Sequence, residues 1–203
     1  VEKLEEHLSR RDYDAAGRHL TYWLREAEAG RDVRGQFSLH NELMGHYRKV
    51  GDEENALTHA AAALALLEEI GPDTVSAGTA LVNAATVQSA FGRWQAAYDL
   101  FARAQANYEE NLPPEDARLG GLYNNMALAL TALGRCGEAY RCFQRALEIM
   151  ARQPQGQPEQ AITYLNMADA VAAEHGMEKG EKKIEQYLTR AQALLEAPGV
   201  PHN

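Results

Sequence analysis

Tyr123-Asn124-Asn125-Met126-Ala127-Leu128-Ala129-Leu130-Thr131-Ala132-Leu133-Gly134-Arg135-Cys136-Gly137-Glu138-Ala139 is the stretch on which the fold turns. Up to Leu133 it is uncharged and rich in good helix formers. Gly134 then breaks the pattern, at the place where the residue after a helix often needs positive φ. Beyond it, Ala139, Phe143 and Ala146 recur at i, i+4 and i+7, which puts them on one face of a second helix. The stretch therefore reads as helix, short turn, helix.

The same figure recurs along the chain. Gly51-Asp52-Glu53-Glu54-Asn55-Ala56 and Gly92-Arg93-Trp94-Gln95-Ala96-Ala97 are equivalent turns, and a longer one opens at Gly176 and runs through Gly180. Gly51, Gly92, Gly134 and Gly176 stand 41, 42 and 42 residues apart. At the front, Arg11-Asp12-Tyr13-Asp14-Ala15-Ala16 has the same shape with Arg in place of Gly. The helical face after each turn reads Ala16, Leu20, Trp23; Ala56, Ala60, Ala63; Ala97, Phe101, Ala104; and Ile184, Leu188, Ala191. Breaks fall at Gly30-Arg31-Asp32, Gly71-Pro72-Asp73, Leu112-Pro113-Pro114 and from Gln153 to Pro158, where proline ends or opens a helix. Asp73 and Glu115 then sit near helix N-termini, where negative charge is favourable. The expectation is one domain over 1–197, with units 1–30, 31–71, 72–112, 113–154 and 158–197 and a tail at 198–203. A constant period of this length marks a stacked repeat array.

Composition agrees. The chain has 203 residues, 45% of them hydrophobic, with a net charge of −9 from 20 Lys+Arg against 29 Asp+Glu. Alanine is abundant and Val, Ile and Thr are scarce, which favours helix over sheet. An acidic surface repels phosphate backbones and anionic lipid, so neither nucleic acid nor membrane is an expected partner. The uncharged run from Thr74 to Gly92 is of spanning length but carries Ser76, Thr79, Asn83, Thr86, Gln88 and Ser89, too polar for a lone membrane helix. Two cysteines, Cys136 and Cys142, make no disulfide scaffold, and a reducing cytoplasm fits best. The opening Val1, in place of an initiator methionine, reads as a piece of a longer protein.

The pattern Tyr123…Met126-Ala127…Leu133-Gly134-Arg135…Ala139…Phe143…Ala146 resembles the tetratricopeptide repeat family. Tyr13 and Trp94 fill the aromatic slot after the turn in two other units. The period of about 42, longer than the usual 34, is similar to the long-helix variety of kinesin-light-chain-like proteins, in which Leu-Asn-Asn-Leu-Ala is typical; Tyr123-Asn124-Asn125-Met126-Ala127 is close to it. The match departs at Arg11, at the lengthened Gly176 turn and at Met44-Gly45. The resemblance implies an all-α, right-handed superhelical array of about five antiparallel helix pairs. It also implies a mostly non-catalytic scaffold that holds a peptide or helix in a concave groove lined by the first helix of each unit.

The first helices are unusual in charge. Thr74 to Gly92, Leu119 to Gly134 and Ala161 to Ala168 contain none. Either they are sandwiched between neighbours and need small uncharged residues, or they form an apolar groove flanked by charge. Asparagine recurs in them at Asn41, Asn83, Asn124, Asn125 and Asn166, and its amide offers donors and an acceptor to an extended peptide. The resemblance puts Asn83, Asn125 and Asn166 in a structural column that ties helices together, and Asn124 and Asn41 one step towards the groove. Val82, Thr86, Ser89, Leu128 and Thr131 share that face. Arg48 and Lys49 are read as the strong positive charge on a first helix, suited to a carboxylate or simply to a solvated helix end.

An enzyme is not expected. None of the seven histidines forms a His-x-x-x-His or Glu-carrying zinc motif, and Cys136 and Cys142, six apart, make neither a redox pair nor a zinc knuckle. There is no Gly-rich phosphate loop and no nucleophile motif, so no cofactor or metal is invoked. At the far end, Ile184, Leu188, Ala191 and Leu195 share one helix face with no later helix to cover it, while Glu178 to Lys183 reads as a charged surface loop. Repeat arrays need polar caps, so Ile184, Leu188 and Leu195 are candidates for self-association into a homodimer. The leading reading is a non-enzymatic protein- or peptide-binding scaffold. The alternatives are a regulatory or sensor module with its output domain outside this chain, and a self-association module.

Overall fold

A computed structural model of the chain describes residues 13–71 and 74–196. The helix expected before Arg11, the Arg11-Asp12 turn, Pro72, Asp73 and the tail lie outside the described residues. Among those described there are nine helices and no strand: α1 Tyr13–Ala29, α2 Val33–Val50, α3 Glu53–Ile70, α4 Val75–Ala90, α5 Trp94–Asn111, α6 Ala117–Ala132, α7 Cys136–Met150, α8 Gln157–His175 and α9 Met177–Leu195.

The turns take the expected form. Gly134 has φ 73°, its N–H donates to Thr131 at 3.0 Å, and the N–H of Arg135 donates to Leu130 at 2.8 Å. These are the paired bonds of a Schellman motif, which satisfy carbonyls that the helix end would leave orphaned. Gly51 and Gly92 repeat the same two bonds, so the 41–42-residue period is a period of helix stops. The Gly176 turn is different. It is not lengthened: α9 begins at the next residue, Met177. The stretch Glu178 to Lys183 is accordingly the first third of α9 rather than a loop, with its charges solvated and Gly180 buried against α8. A Cβ at Gly180 would lie 2.8 Å from Cγ1 of Val171, so the close helix approach depends on glycine there.

Side-chain caps open the helices. Asp52 accepts from the N–H of Asn55 at 3.1 Å, Thr74 from Ala77 at 3.2 Å and Asp116 from Arg118 at 3.0 Å. The cap of α6 is thus Asp116; Glu115 stands one residue before it, near the helix N-terminus, and pairs with Arg152 at 3.2 Å.

The helices group into two compact units, 1–107 and 108–203, the division falling inside α5. In the first, α1 packs on α2, α2 on α3, and α4 on both α2 and α3. One cluster joins Leu20, Leu24 and Leu43. A second joins Met44, Ala56, Ala60, Ala63, Ala84 and Val87, with Phe37, Leu57 and Leu100 packed around it. Each buried Leu or Met contributes about 1.5–3 kcal/mol, and the alanines let the backbones approach. In the second unit α6 pairs with α7 and α8 with α9, while α8 also touches α6 and α7. Ala168 and Val171 of α8 enclose Ile184 of α9.

This packing explains the uncharged first helices. In α4, Ala77, Gly78, Ala80, Leu81, Ala84, Ala85 and Val87 are buried, because the helix is covered from two sides. Only a narrow stripe of α4 is left open, whereas α2 buries Leu43 and Met44 and leaves much more of its surface accessible.

Candidate functional site

In the first unit that open stripe is polar. On α2, Arg34, Ser38, Asn41, Glu42, Gly45, Arg48 and Lys49 follow one another at helical spacing, and Ser76, Thr79, Asn83 and Thr86 do so on α4. The two stripes are joined by a side-chain hydrogen bond: Nδ2 of Asn83 donates to Oδ1 of Asn41 at 3.0 Å. Two depressions share Asn41 and Glu42. One, of about 270 Å³, is also lined by Leu20, Gly45, His46, Arg48, Lys49, Asn83 and Thr86. The other, of about 490 Å³, is mixed: Arg34, Ser38, Thr74, Ser76 and Thr79 line it together with Phe37, Leu67, Ile70, Gly71, Ala77 and Ala80.

Of the expected groove residues, the structure brings Asn41, Arg48, Lys49 and Thr86 together around the first depression. Val82 and Ser89 are half-buried on α4 and line neither. Thr86 donates its hydroxyl to the Val82 carbonyl at 2.8 Å, so it offers a ligand only oxygen lone pairs. Among the described residues, the two amide hydrogens of Asn41 and the carbonyl oxygen of Asn83 are not used in the bond between them. Arg48 and Lys49 are exposed, with Nζ of Lys49 5.2 Å from the centre of the Tyr13 ring. They are not the only cations on this helix, since Arg34 stands on the same stripe.

Sequence reasoning missed Glu42, Gly45 and His46. Glu42 and Gly45 were legible, because they continue the i, i+3, i+4 stripe from Asn41 to Arg48. His46 was not. Its Nδ1 is buried without a hydrogen-bond partner among the described residues, and burial holds its pKa below the ordinary histidine value, with Asp14 opposing. Its seat exists because position 17 is glycine: a Cβ there would lie 2.7 Å from Nε2 of His46.

The second unit repeats the asparagine bond. Nδ2 of Asn166 on α8 donates to Oδ1 of Asn124 on α6 at 3.0 Å. Both bonds span one repeat and join one asparagine expected in the structural column to one expected towards the groove. Thr131 donates back to Ala127 at 2.9 Å. Leu128 is 37% exposed, and Ile162 and Leu165, which sequence reasoning did not single out, are 51% and 40% exposed. The open stripe here is apolar around the asparagines, unlike that of the first unit.

On α9 the four residues of the expected self-association face separate. Ile184 and Ala191 are core, at 8% and 1% exposure, whereas Leu188 and Leu195 are open at 46% and 42%. Ile184 is therefore corrected from a surface contact to a buried one, since Ala168 and Val171 already cover it.

Among the described residues no group of three His, Cys, Asp or Glu side chains converges as a metal set, and no helix is long and apolar enough to cross a membrane. Burial pushes the Cys142 thiol pKa up, away from nucleophile behaviour.

The model of the tetratricopeptide repeat matches residues 36–110 and 118–197. The chain belongs to the tetratricopeptide repeat family. Solved structures agree on the fold. BtubC (BKLC) from P. vanneervenii superimposes with a TM-score of 0.80 at 18% identity, covering 98% of this chain and 81% of that one. A putative kinesin light chain of Podosopora anserina with nearly identical TPR-like repeats gives 0.80 at 17% identity, with 96% and 92% covered. MamA gives 0.64 at 15% identity, with 95% and 94% covered. No curated protein is matched by sequence. The all-α repeat fold thus stands on three counts: period, helix order and likeness to known arrays. Tetratricopeptide repeats are generally non-enzymatic protein-interaction scaffolds, and this chain shares that architecture.

Proposed function

We propose that this tetratricopeptide repeat chain is a non-catalytic scaffold that binds a protein partner through extended peptide laid along the open stripe of the first helices within each unit. The observation that carries the reading is the convergence of Asn41, Asn83, Thr86, Arg48 and Lys49 around one depression in the first unit. Asn41 N–H groups and the Asn83 carbonyl oxygen suit a peptide backbone, which presents one donor and one acceptor per residue. Arg48, Lys49 and Arg34 outnumber Glu42 on the α2 stripe in a chain whose net charge is −9. That local reversal of sign suits an acidic side chain or a C-terminal carboxylate. Leu128, with Asn124 beside it, serves the same purpose in the second unit for an apolar residue.

The test is fluorescence polarisation with a panel of labelled acidic, neutral and basic peptides. Saturable binding of acidic peptides, weakened at least tenfold by Arg48→Glu with Lys49→Glu, supports the reading. Equal binding by that variant, or by Asn124→Asp with Leu128→Glu, moves the surface elsewhere.

A second reading is self-association through α9, favoured by Leu188. On that helix Leu188 and Leu195 remain 46% and 42% exposed, while Ile184 and Ala191 are buried against α8. A mass doubling in light scattering that Leu188→Glu abolishes would establish it, and a monomer at high concentration would remove it.

A further inference from the structure

Inside the first unit, His40 of α2 and His59 of α3 face each other with their Nδ1 atoms 2.8 Å apart. At that distance one nitrogen carries the shared proton and the other accepts it. The Tyr47 ring lies parallel to His59, 5.4 Å between centres, and His46 meets Tyr47 edge-on at 5.1 Å. The contact joins two helices whose packing otherwise rests on alanines and a few larger apolar groups. One residue on from His40 stands Asn41, which accepts the bond from Asn83.

We infer that the His40–His59 contact is a proton-sensitive latch between α2 and α3, closed when one proton is shared and opened when both imidazoles are charged. With both nitrogens protonated the acceptor is lost, and two cations face each other at hydrogen-bond distance in a half-buried site. No neighbour neutralises both. From α1, Glu28 favours the charged form of His40, while Asp14 acts on His46 instead. From α2 itself the facing group is Tyr47. Helix α4 carries no titratable side chain at all. From α5, Arg103 pairs with Glu68 and Asp99 accepts from Gln95, and just before it Arg93 pairs with Glu53; Glu53 and Glu68 lie near the two ends of α3, on either side of His59.

Burial moves the His59 pKa down to about 4, with the nearby His40 adding to the effect, and burial lowers that of His40 as well. The unfolded chain therefore binds more protons than the folded one between pH 6.5 and about 4. The latch contributes in full above 6.5 and is lost as pH falls through that window. Its functional consequence, looser placement of Asn41 and weaker peptide binding in acid, rests on the groove reading; the latch itself does not.

The experiment is an NMR titration of the imidazoles of the whole chain from pH 8 to 4, run beside urea denaturation across the same range. The expected result is that His40 and His59 stay neutral well below pH 6.5 and that the urea midpoint falls across that window. His59→Phe, which keeps the stack on Tyr47 without a proton, flattens the fall. Imidazoles that titrate near 6.5, or a midpoint slope unchanged by His59→Phe, would overturn the latch. Should His59→Phe fail to fold, His59→Gln retains an amide donor to His40, and the wild-type titration decides independently. Loss of all peptide binding at every pH would sink the groove reading and leave the latch to these two measurements.

Discussion

Asn83 donates its side-chain amide to Asn41 at 3.0 Å between successive first helices, the two residues lying 42 apart in sequence. Asn166 and Asn124 make the same bond at the same separation and distance. The bond fixes the register between successive first helices and orients the remaining amide groups towards the open stripe. Truncating the donor, Asn83→Ala or Asn166→Ala, is expected to lower unfolding stability by about 0.5–1.5 kcal/mol, the usual net worth of a partly buried hydrogen bond. Urea denaturation reads it. Because the pairs lie in separate units, the double variant should show the sum of the single losses.

Arg48 and Lys49 are solvated. Replacing both with alanine should leave stability within about 0.5 kcal/mol, as at most exposed positions. Acidic-peptide affinity should nonetheless fall and lose part of its salt dependence between 50 and 300 mM NaCl, a range over which the Debye length shortens from about 14 to about 6 Å. A large drop in melting temperature would show instead that the pair is structural.

Position 134 requires positive φ, at 73°. Gly134→Ala should cost about 1–2 kcal/mol of left-handed strain, read as a Tm lower by about 2–4 °C per kcal/mol in a chain of this size. The same substitution at Gly121, where an added Cβ meets no side chain or neighbouring backbone within 4 Å and φ is ordinary, should be neutral or slightly stabilising.

Ile184 and Leu188 stand one helical turn apart with opposite environments, at 8% and 46% exposure. Ile184→Ala should cost about 2–5 kcal/mol as a cavity forms against Val171. Leu188→Ala should leave monomer stability almost unchanged and alter the apparent mass only if a second copy covers α9. Chemical denaturation and light scattering separate the two effects.

Gly17 seats His46. Gly17→Ala brings a methyl group to 2.7 Å from Nε2, so the imidazole must turn out of the depression it shares with Asn41 and Arg48. The expected readout is a changed His46 ring chemical shift with a stability loss of about 1–3 kcal/mol, the usual cost of overpacking.

Much of this molecule was written in local terms. Gly51, Gly92 and Gly134 mark helix stops because positive φ is a property of one residue, and the faces Ala56-Ala60-Ala63 and Ala139-Phe143-Ala146 declare themselves by spacing alone. That Asn41, Arg48 and Lys49 line one depression follows from their lying on one helix, seven and eight residues apart. The turn at Gly176 was misread because a charged stretch looks like a loop until the buried Gly180 shows that α8 holds it as helix. Local pattern is a property of one helix, whereas burial is a relation between two. Spacing therefore placed Ile184 and Leu188 on one face, and only the presence of Val171 beside one of them made it core. The same holds for His40 and His59, nineteen residues apart with no motif between them, whose facing nitrogens exist because α2 and α3 pack antiparallel around Ala56 and Ala60.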